Sequence, residues 1–220
     1  MEDLLLPLFP LEVVLFPEEP LPLHIFEERY KKMIGDCLKA KAENLGEQEF
    51  GVVMAKNREM QTVGCCARII NITRKYTDGR MDIFTVGTRR FEILAANPSG
   101  AAASYLRAGV ALFDDEAGRD TPAEADADRA IELFRTIMQK LHKSTDIPIH
   151  LPKPYRHLSF RIAAALPLDL DFKQGLLPIR NEAERLQQVG EAIEVLIPQI
   201  EMVQRIRSKA GGNGHAGIQS

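Results

Sequence analysis

This chain predicts an α+β fold, a small β-barrel carrying one helix and followed by a helical bundle. Three observations predict it. Residues 4 to 113 hold short apolar runs broken by Gly, Pro and Asp, the texture of strands and turns. Residues 121 to 208 repeat their apolar positions at helical spacing. Between them, Asp114-Asp115-Glu116-Ala117-Gly118-Arg119-Asp120 is an acidic, Gly-containing connector. The predicted domains are therefore 1–113, a barrel, and 121–208, a bundle, with a Gly-rich flexible tail at 209–220.

The first region opens with Leu4-Leu5-Leu6-Pro7-Leu8-Phe9-Pro10-Leu11. Prolines remove ladder donors, so this segment predicts an edge strand. Val13 to Phe16 follows, then a proline-punctuated loop from Pro17 to Pro22. Tyr30, Met33, Ile34, Cys37 and Leu38 share one helical face, and Glu27 and Glu28 sit near that helix's start, where carboxylates suit the macrodipole. Strands are predicted over 50–55 and 63–76, the second with Gly64 as a bulge. Thr77-Asp78-Gly79 is a hairpin signal. The return is predicted over 81–86 and 90–94, interrupted at Gly87, and 105–113 closes the set. About six strands and one helix hide their edges best as a barrel or strongly curved sheet.

In the second region, Thr121-Pro122-Ala123-Glu124 reads as a capping box with proline at the first helical position. Ala127, Ala130, Ile131, Phe134, Ile137, Met138 and Leu141 form the apolar face that follows. Pro148, Pro152 and Pro154 mark a loop. A second helix is predicted over 155–165, a short third from Asp171, and a fourth from Asn181. The fourth buries Leu186, Val189, Ile193, Leu196, Ile197, Ile200 and Val203, and Pro198 is expected to kink it.

Composition narrows the function. Hydrophobic residues make up 45% of 220, enough for one sizeable core or two smaller ones. A net charge of −3 lacks the basic excess of proteins that live on phosphate backbones. No apolar run is long enough to span a membrane, and the acidic start, Met1-Glu2-Asp3, is not a secretory signal. Three cysteines, Cys37, Cys65 and Cys66, point to reduced thiols in a cytoplasmic setting. Cys65-Cys66 lacks the spacing of a redox motif and reads as two small residues of a buried strand.

The catalytic motifs sought are absent: no P-loop, no dinucleotide fingerprint, no H-E-x-x-H and no G-x-S-x-G. The five histidines, His24, His142, His150, His157 and His215, are scattered, and no metal site or cofactor is predicted. His157 and Ser159 are too close on a helix to face each other as a catalytic pair. Asp169 and Asp171 flank a helix start and read as caps before they read as an acid–base pair. Lys31-Lys32, Arg74-Lys75 and Arg89-Arg90 are basic doublets, weak hints of RNA binding.

One block is distinctive. Leu6-Pro7-Leu8-Phe9-Pro10-Leu11, Val14-Leu15-Phe16-Pro17, Leu21-Pro22-Leu23-His24-Ile25-Phe26-Glu27 and Arg29-Tyr30 together resemble the start of the N-terminal, substrate-binding region of Lon proteases. The resemblance continues through Phe50-Gly51-Val52-Val53, Gly64, Ala67, Asp78-Gly79-Arg80, Gly87 and Arg90-Phe91. It resumes at residues 162–169, Lys173-Gln174-Gly175-Leu176-Leu177 and Arg185-Leu186, and so covers 4 to 205. Glu18, Glu19 and Glu28 depart from the family at loop positions where it often has Gly or Pro. The resemblance implies a PUA-like β-pseudobarrel ahead of a helical bundle, and recognition of unfolded or tagged protein. The family's ATPase and Ser-Lys peptidase follow this region, and this chain ends before them, so neither activity is expected.

The main reading is thus a non-catalytic module binding unfolded or partially folded protein segments, in a groove between barrel and bundle. Its candidate binding residues are His24, Phe26, Arg29, Tyr30, Arg80 and Arg90. No membrane partner is expected, and the sequence assigns no oligomeric state. The alternative is an RNA-binding PUA-like protein using a basic face of Arg74, Lys75, Arg89 and Arg90. A hydrolase, requiring convergent polar groups in a pocket, ranks last.

Overall fold

The computed structural model describes residues 4–42, 49–97, 104–142 and 153–212. The tail beyond residue 212, His150 and His215 lie outside them, as do Pro148 and Pro152. The described chain is α+β. In order its elements are β1 (Leu4–Leu11), β2 (Pro20–Ile25), α1 (Glu28–Ala42), β3 (Glu49–Lys56), β4 (Glu59–Met60), β5 (Val63–Lys75), β6 (Met81–Asn97), β7 (Arg107–Phe113), α2 (Glu124–His142), α3 (Leu158–Ala165), α4 (Leu170–Leu176) and α5 (Glu182–Gly212). They form two compact units, Met1–Glu116 with Ala163–Arg180, and Ala117–Ile162 with Asn181–Ser220. Among the described residues no helix is long and apolar enough to cross a membrane.

In the first unit the strands run β1-β7-β6-β5-β3, and parallel pairing of β3 with β1 closes the ring. β1 is therefore not an edge, as its prolines suggest. It changes partners midway, pairing residues 4–7 with β7 and residues 8–11 with β3. Each half is bonded mainly on one side, so Pro7 and Pro10 can turn their missing donors away from the ladder. The segment expected to be a loop, Pro17 to Pro22, overlaps the start of an edge strand, β2, which pairs with β6 alone. Proline cannot donate, so the ladder donors of β2 must come from Leu21, Leu23 and Ile25, while Pro20 and Pro22 face outward.

Period-two alternation feeds two apolar clusters from the same strands. Val52 and Cys65 join Phe9, Leu15, Met33, Ile34 and Phe50 in one. Val53 and Cys66 join Leu6, Leu8, Phe91 and Val110 in the other. Gly64 serves this packing rather than a bulge: a Cβ there stands 2.5 Å from the Phe91 ring. The register shifts of β5 fall at Cys65/Ala67, Ile69/Asn71 and Ile72/Arg74. Gly87 does not interrupt β6 either. A Cβ there stands 2.0 Å from the Phe16 carbonyl oxygen, and its own N–H and C=O bond Glu19 and Glu18. The Thr77–Gly79 turn forms as read, with Gly79 at φ 83°.

In the second unit α2 buries Ala127, Ala130, Phe134 and Ile137, and α5 buries Leu186, Val189 and Ile193. The first helical turn of α2 is closed by Ala123 rather than Thr121, through Ala127 N–H to the Ala123 carbonyl. α5 begins at an Asn181 cap and runs through Pro198. The predicted buried face does not extend to its end: Val203 is exposed, with Val195, Met202 and Ile206.

Candidate functional site

The register of three neighbouring strands builds an outward face in rows. His24, Asp82 and Arg74 lie side by side across β2, β6 and β5. The next row is Pro22, Phe84 and Asn71, and the next is Pro20, Val86 and Arg68. Directly paired residues share a face. The intervening positions, Leu23, Ile83, Ile72, Leu21 and Ile69, turn inward to the core.

Tyr76, at the end of β5, organises the first row. Its hydroxyl donates to Asp82 Oδ2 at 2.9 Å, and His24 Nδ1 donates to Asp82 Oδ1 at 2.5 Å. These bonds, His24 foremost, hold the Asp82 carboxyl below its ordinary range. The His24 ring meets Tyr76 edge-on at 5.7 Å and stacks on Phe26 at 6.0 Å. Arg74 and Arg80 both lie against the Tyr76 ring, at 4.7 and 5.0 Å from its centroid. Phe26 is 59% exposed.

The structure thus brings His24, Phe26 and Arg80 together. Arg29 stays exposed at the start of α1, bonded to Glu27 at 2.8 Å. For Tyr30 and Arg90 the structure differs from the expectation. Tyr30 is buried, its ring 4.0 Å from that of Phe9, and burial raises its phenol above the ordinary range. Arg90 is 2% exposed and donates to the carbonyls of Leu177 and Ile179 and to Asp115. Because Arg90 is interior and Arg89 is bonded to Asp114, the four-residue basic face of Arg74, Lys75, Arg89 and Arg90 does not assemble. Tyr76, Phe84 and Pro22 join this face although none is a candidate from the sequence. The available signal was the alternation Leu21-Pro22-Leu23-His24-Ile25.

Other chemistry resolves into structure. Ser159 donates its hydroxyl to Glu182 at 2.8 Å, Glu182 pairs with Arg185 at 2.5 Å, and all three are fully buried. No substrate can reach that hydroxyl. Asp169 caps α4, accepting from Asp171 N–H at 2.8 Å, and Asp171 pairs with Lys56. The cysteines are free and buried. Among the described residues no group of three or more His, Cys, Asp or Glu is placed to hold a metal ion. A cavity of about 530 Å³ lies along α2 and α5, its lining including Asp126, Arg129, Glu184, Glu191 and Glu194.

The profile of the ATP-dependent protease La (LON) substrate-binding domain matches residues 5–195. The Lon protease of Flavobacterium johnsoniae is 26% identical over 221 residues, covering 93% of this chain and 26% of that protein. The Lon protease of Escherichia coli K12 is 26% identical over 219 residues, covering 94% of this chain and 27% of that protein. The chain therefore spans about a quarter of the length of these relatives. The crystal structure of the Lon N-terminal domain protein from Xanthomonas campestris superposes with a TM-score of 0.63 at 24% identity, covering 84% of this chain and 96% of that one. The N-terminal domain of the Mycobacterium avium complex Lon protease gives 0.62 at 15%, covering 86% and 98%. These two likenesses speak to the fold. With the family profile matched over nearly its whole length, the chain belongs to the Lon protease substrate-binding domain family.

Proposed function

We propose that this chain is a non-catalytic module that binds unfolded or partially folded protein segments, and that the outward face of β2, β6 and β5 holds them. One observation carries the surface assignment. Phe26, strongly exposed, adjoins the His24 row, and the Pro22–Phe84 row lies beside it on the same face. An aromatic residue left in water next to partly exposed apolar rows suits contact with another protein. Family membership supports the class of ligand. The buried, bonded state of Ser159 supports a non-catalytic role.

The mode of binding follows from β2. Strand addition needs donors and acceptors alternating along a free edge. On the outward edge of β2, Pro20 and Pro22 supply no donor. Recognition then runs through side chains on the face. Fluorescence anisotropy with a labelled, reduced and alkylated model protein tests this. The double variant Phe26→Ser/Phe84→Ser should bind about tenfold more weakly than wild type, the scale of losing central aromatic contacts. Undiminished binding by that variant, or no binding by wild type, contradicts the proposal.

A further inference from the structure

The face also holds an exposed cation, Arg74, across from Asp82. Arg74 makes no hydrogen bond or ion pair among the described residues, its guanidinium resting on the Tyr76 ring. Its cross-strand neighbour Asp82 accepts from His24 and from Tyr76, and the Arg74 side chain is exposed. Lys75, exposed beside it, is likewise without an ion pair among the described residues. A guanidinium held over an aromatic ring retains N–H groups for a ligand and gives up less side-chain freedom on binding. Its planar fork matches a carboxylate.

We propose that this face selects segments in which a carboxylate side chain stands two residues from an apolar one, with Arg74 receiving the carboxylate. The inference rests on the reading of this face as a peptide-binding surface. Its spacing comes from the sheet. Asp82 and Phe84 occupy successive rows of one face, about 7 Å apart along a strand. An extended ligand lying along β6 repeats its side chains at the same interval. A carboxylate over Arg74 then places the second residue on over Phe84 and Pro22. A phosphate chain fits less well. The carboxylates of Asp78, Asp82, Glu27 and Glu28 lie among these cations and repel a run of negative charge, whereas a single carboxylate over Arg74 has only Asp82, already bonded by His24 and Tyr76, beside it in the row.

Anisotropy titrations at low ionic strength with three labelled peptides of about a dozen residues test the inference. The peptides share an apolar pattern and carry, two residues before its central Leu, Asp, Asn or Lys. Wild type should bind the Asp peptide about fivefold more tightly than the Asn peptide, the scale of an exposed ion pair. Arg74→Glu, whose fold is checked by its thermal melt, should invert the order and favour the Lys peptide. Equal affinities for Asp and Asn peptides overturn the inference, as does an Arg74→Glu variant that still prefers Asp. Those results leave the peptide-binding surface standing if Phe26→Ser/Phe84→Ser weakens all three peptides. If wild type binds none of them, or the double variant binds all undiminished, the surface reading fails as well. Tighter binding of a single-stranded RNA of similar length, falling steeply with salt, overturns the inference in favour of nucleic acid.

Discussion

Arg90 and Asp115 form an ion pair at 2.5 Å with both side chains 2% exposed. Arg90 also donates to the carbonyls of Leu177 and Ile179, at 2.8 and 2.6 Å, so one guanidinium fastens the 163–180 segment to strand β6. Removing one member of a buried pair leaves the other charged and uncompensated. Arg90→Met should therefore cost about 3–5 kcal/mol in urea unfolding. Asp115→Leu in the same chain should restore part of that loss. A single variant within about 1 kcal/mol of wild type would show that the pair does not hold the unit together.

Glu182 is the corresponding node of the second unit. It accepts from Ser159 N–H at 2.7 Å, from the Ser159 hydroxyl at 2.8 Å and from Arg185 at 2.5 Å. Burial pushes its carboxyl above the ordinary range. Glu182→Leu strands the Arg185 charge and should cost about 3–5 kcal/mol. Ser159→Ala removes one hydroxyl and should cost about 1 kcal/mol. The reverse order in chemical denaturation would relocate the node.

Two glycines should respond oppositely to alanine. A Cβ on Gly35 meets nothing within 4 Å, and the residue sits inside α1. Gly35→Ala should stabilise by about 0.5–1 kcal/mol through helix propensity. A Cβ on Gly87 collides with the Phe16 backbone, so Gly87→Ala should destabilise by about 1–3 kcal/mol or more. Differential scanning calorimetry reads both signs.

Burial pushes the Cys37 thiol up to about 11 from 9.0. Below about pH 9 the thiol is neutral folded and unfolded, and it makes no difference to stability. Above pH 9 the unfolded chain ionises first, so folding loses stability as pH climbs toward 11, by about 2–3 kcal/mol once both states are ionised. Comparing urea midpoints of wild type and Cys37→Ala at pH 8 and pH 11 isolates this contribution, since other alkaline groups are common to both. Parallel decline in the two proteins would count against it.

The fold was legible where local chemistry and tertiary context agree. Gly79 needs a positive φ, Asn181 and Asp169 satisfy helix-end amides, and the α2 face repeats at helical spacing. It was illegible where the partner decides. Pro7 and Pro10 suggest an edge until β1 is seen to exchange β7 for β3. Pro20 and Pro22 hide β2, because its donors come from the alternate residues. Arg89 and Arg90 read alike, yet strand alternation sends one outward and one inward, to a carboxylate 25 residues away. The cluster around Tyr76 depends on cross-strand register, which local composition does not encode.

Protein segments are proposed to bind on the face formed by β2, β6 and β5. Backbone amide chemical shifts, recorded while an extended apolar peptide is titrated into the protein, test it most directly. Perturbations are expected to concentrate at Pro22–Phe26, Arg74–Tyr76 and Asp82–Val86 (the prolines seen through their neighbours). Perturbations confined instead to the α2–α5 cavity, or to Val195, Met202 and Ile206 on α5, would contradict it.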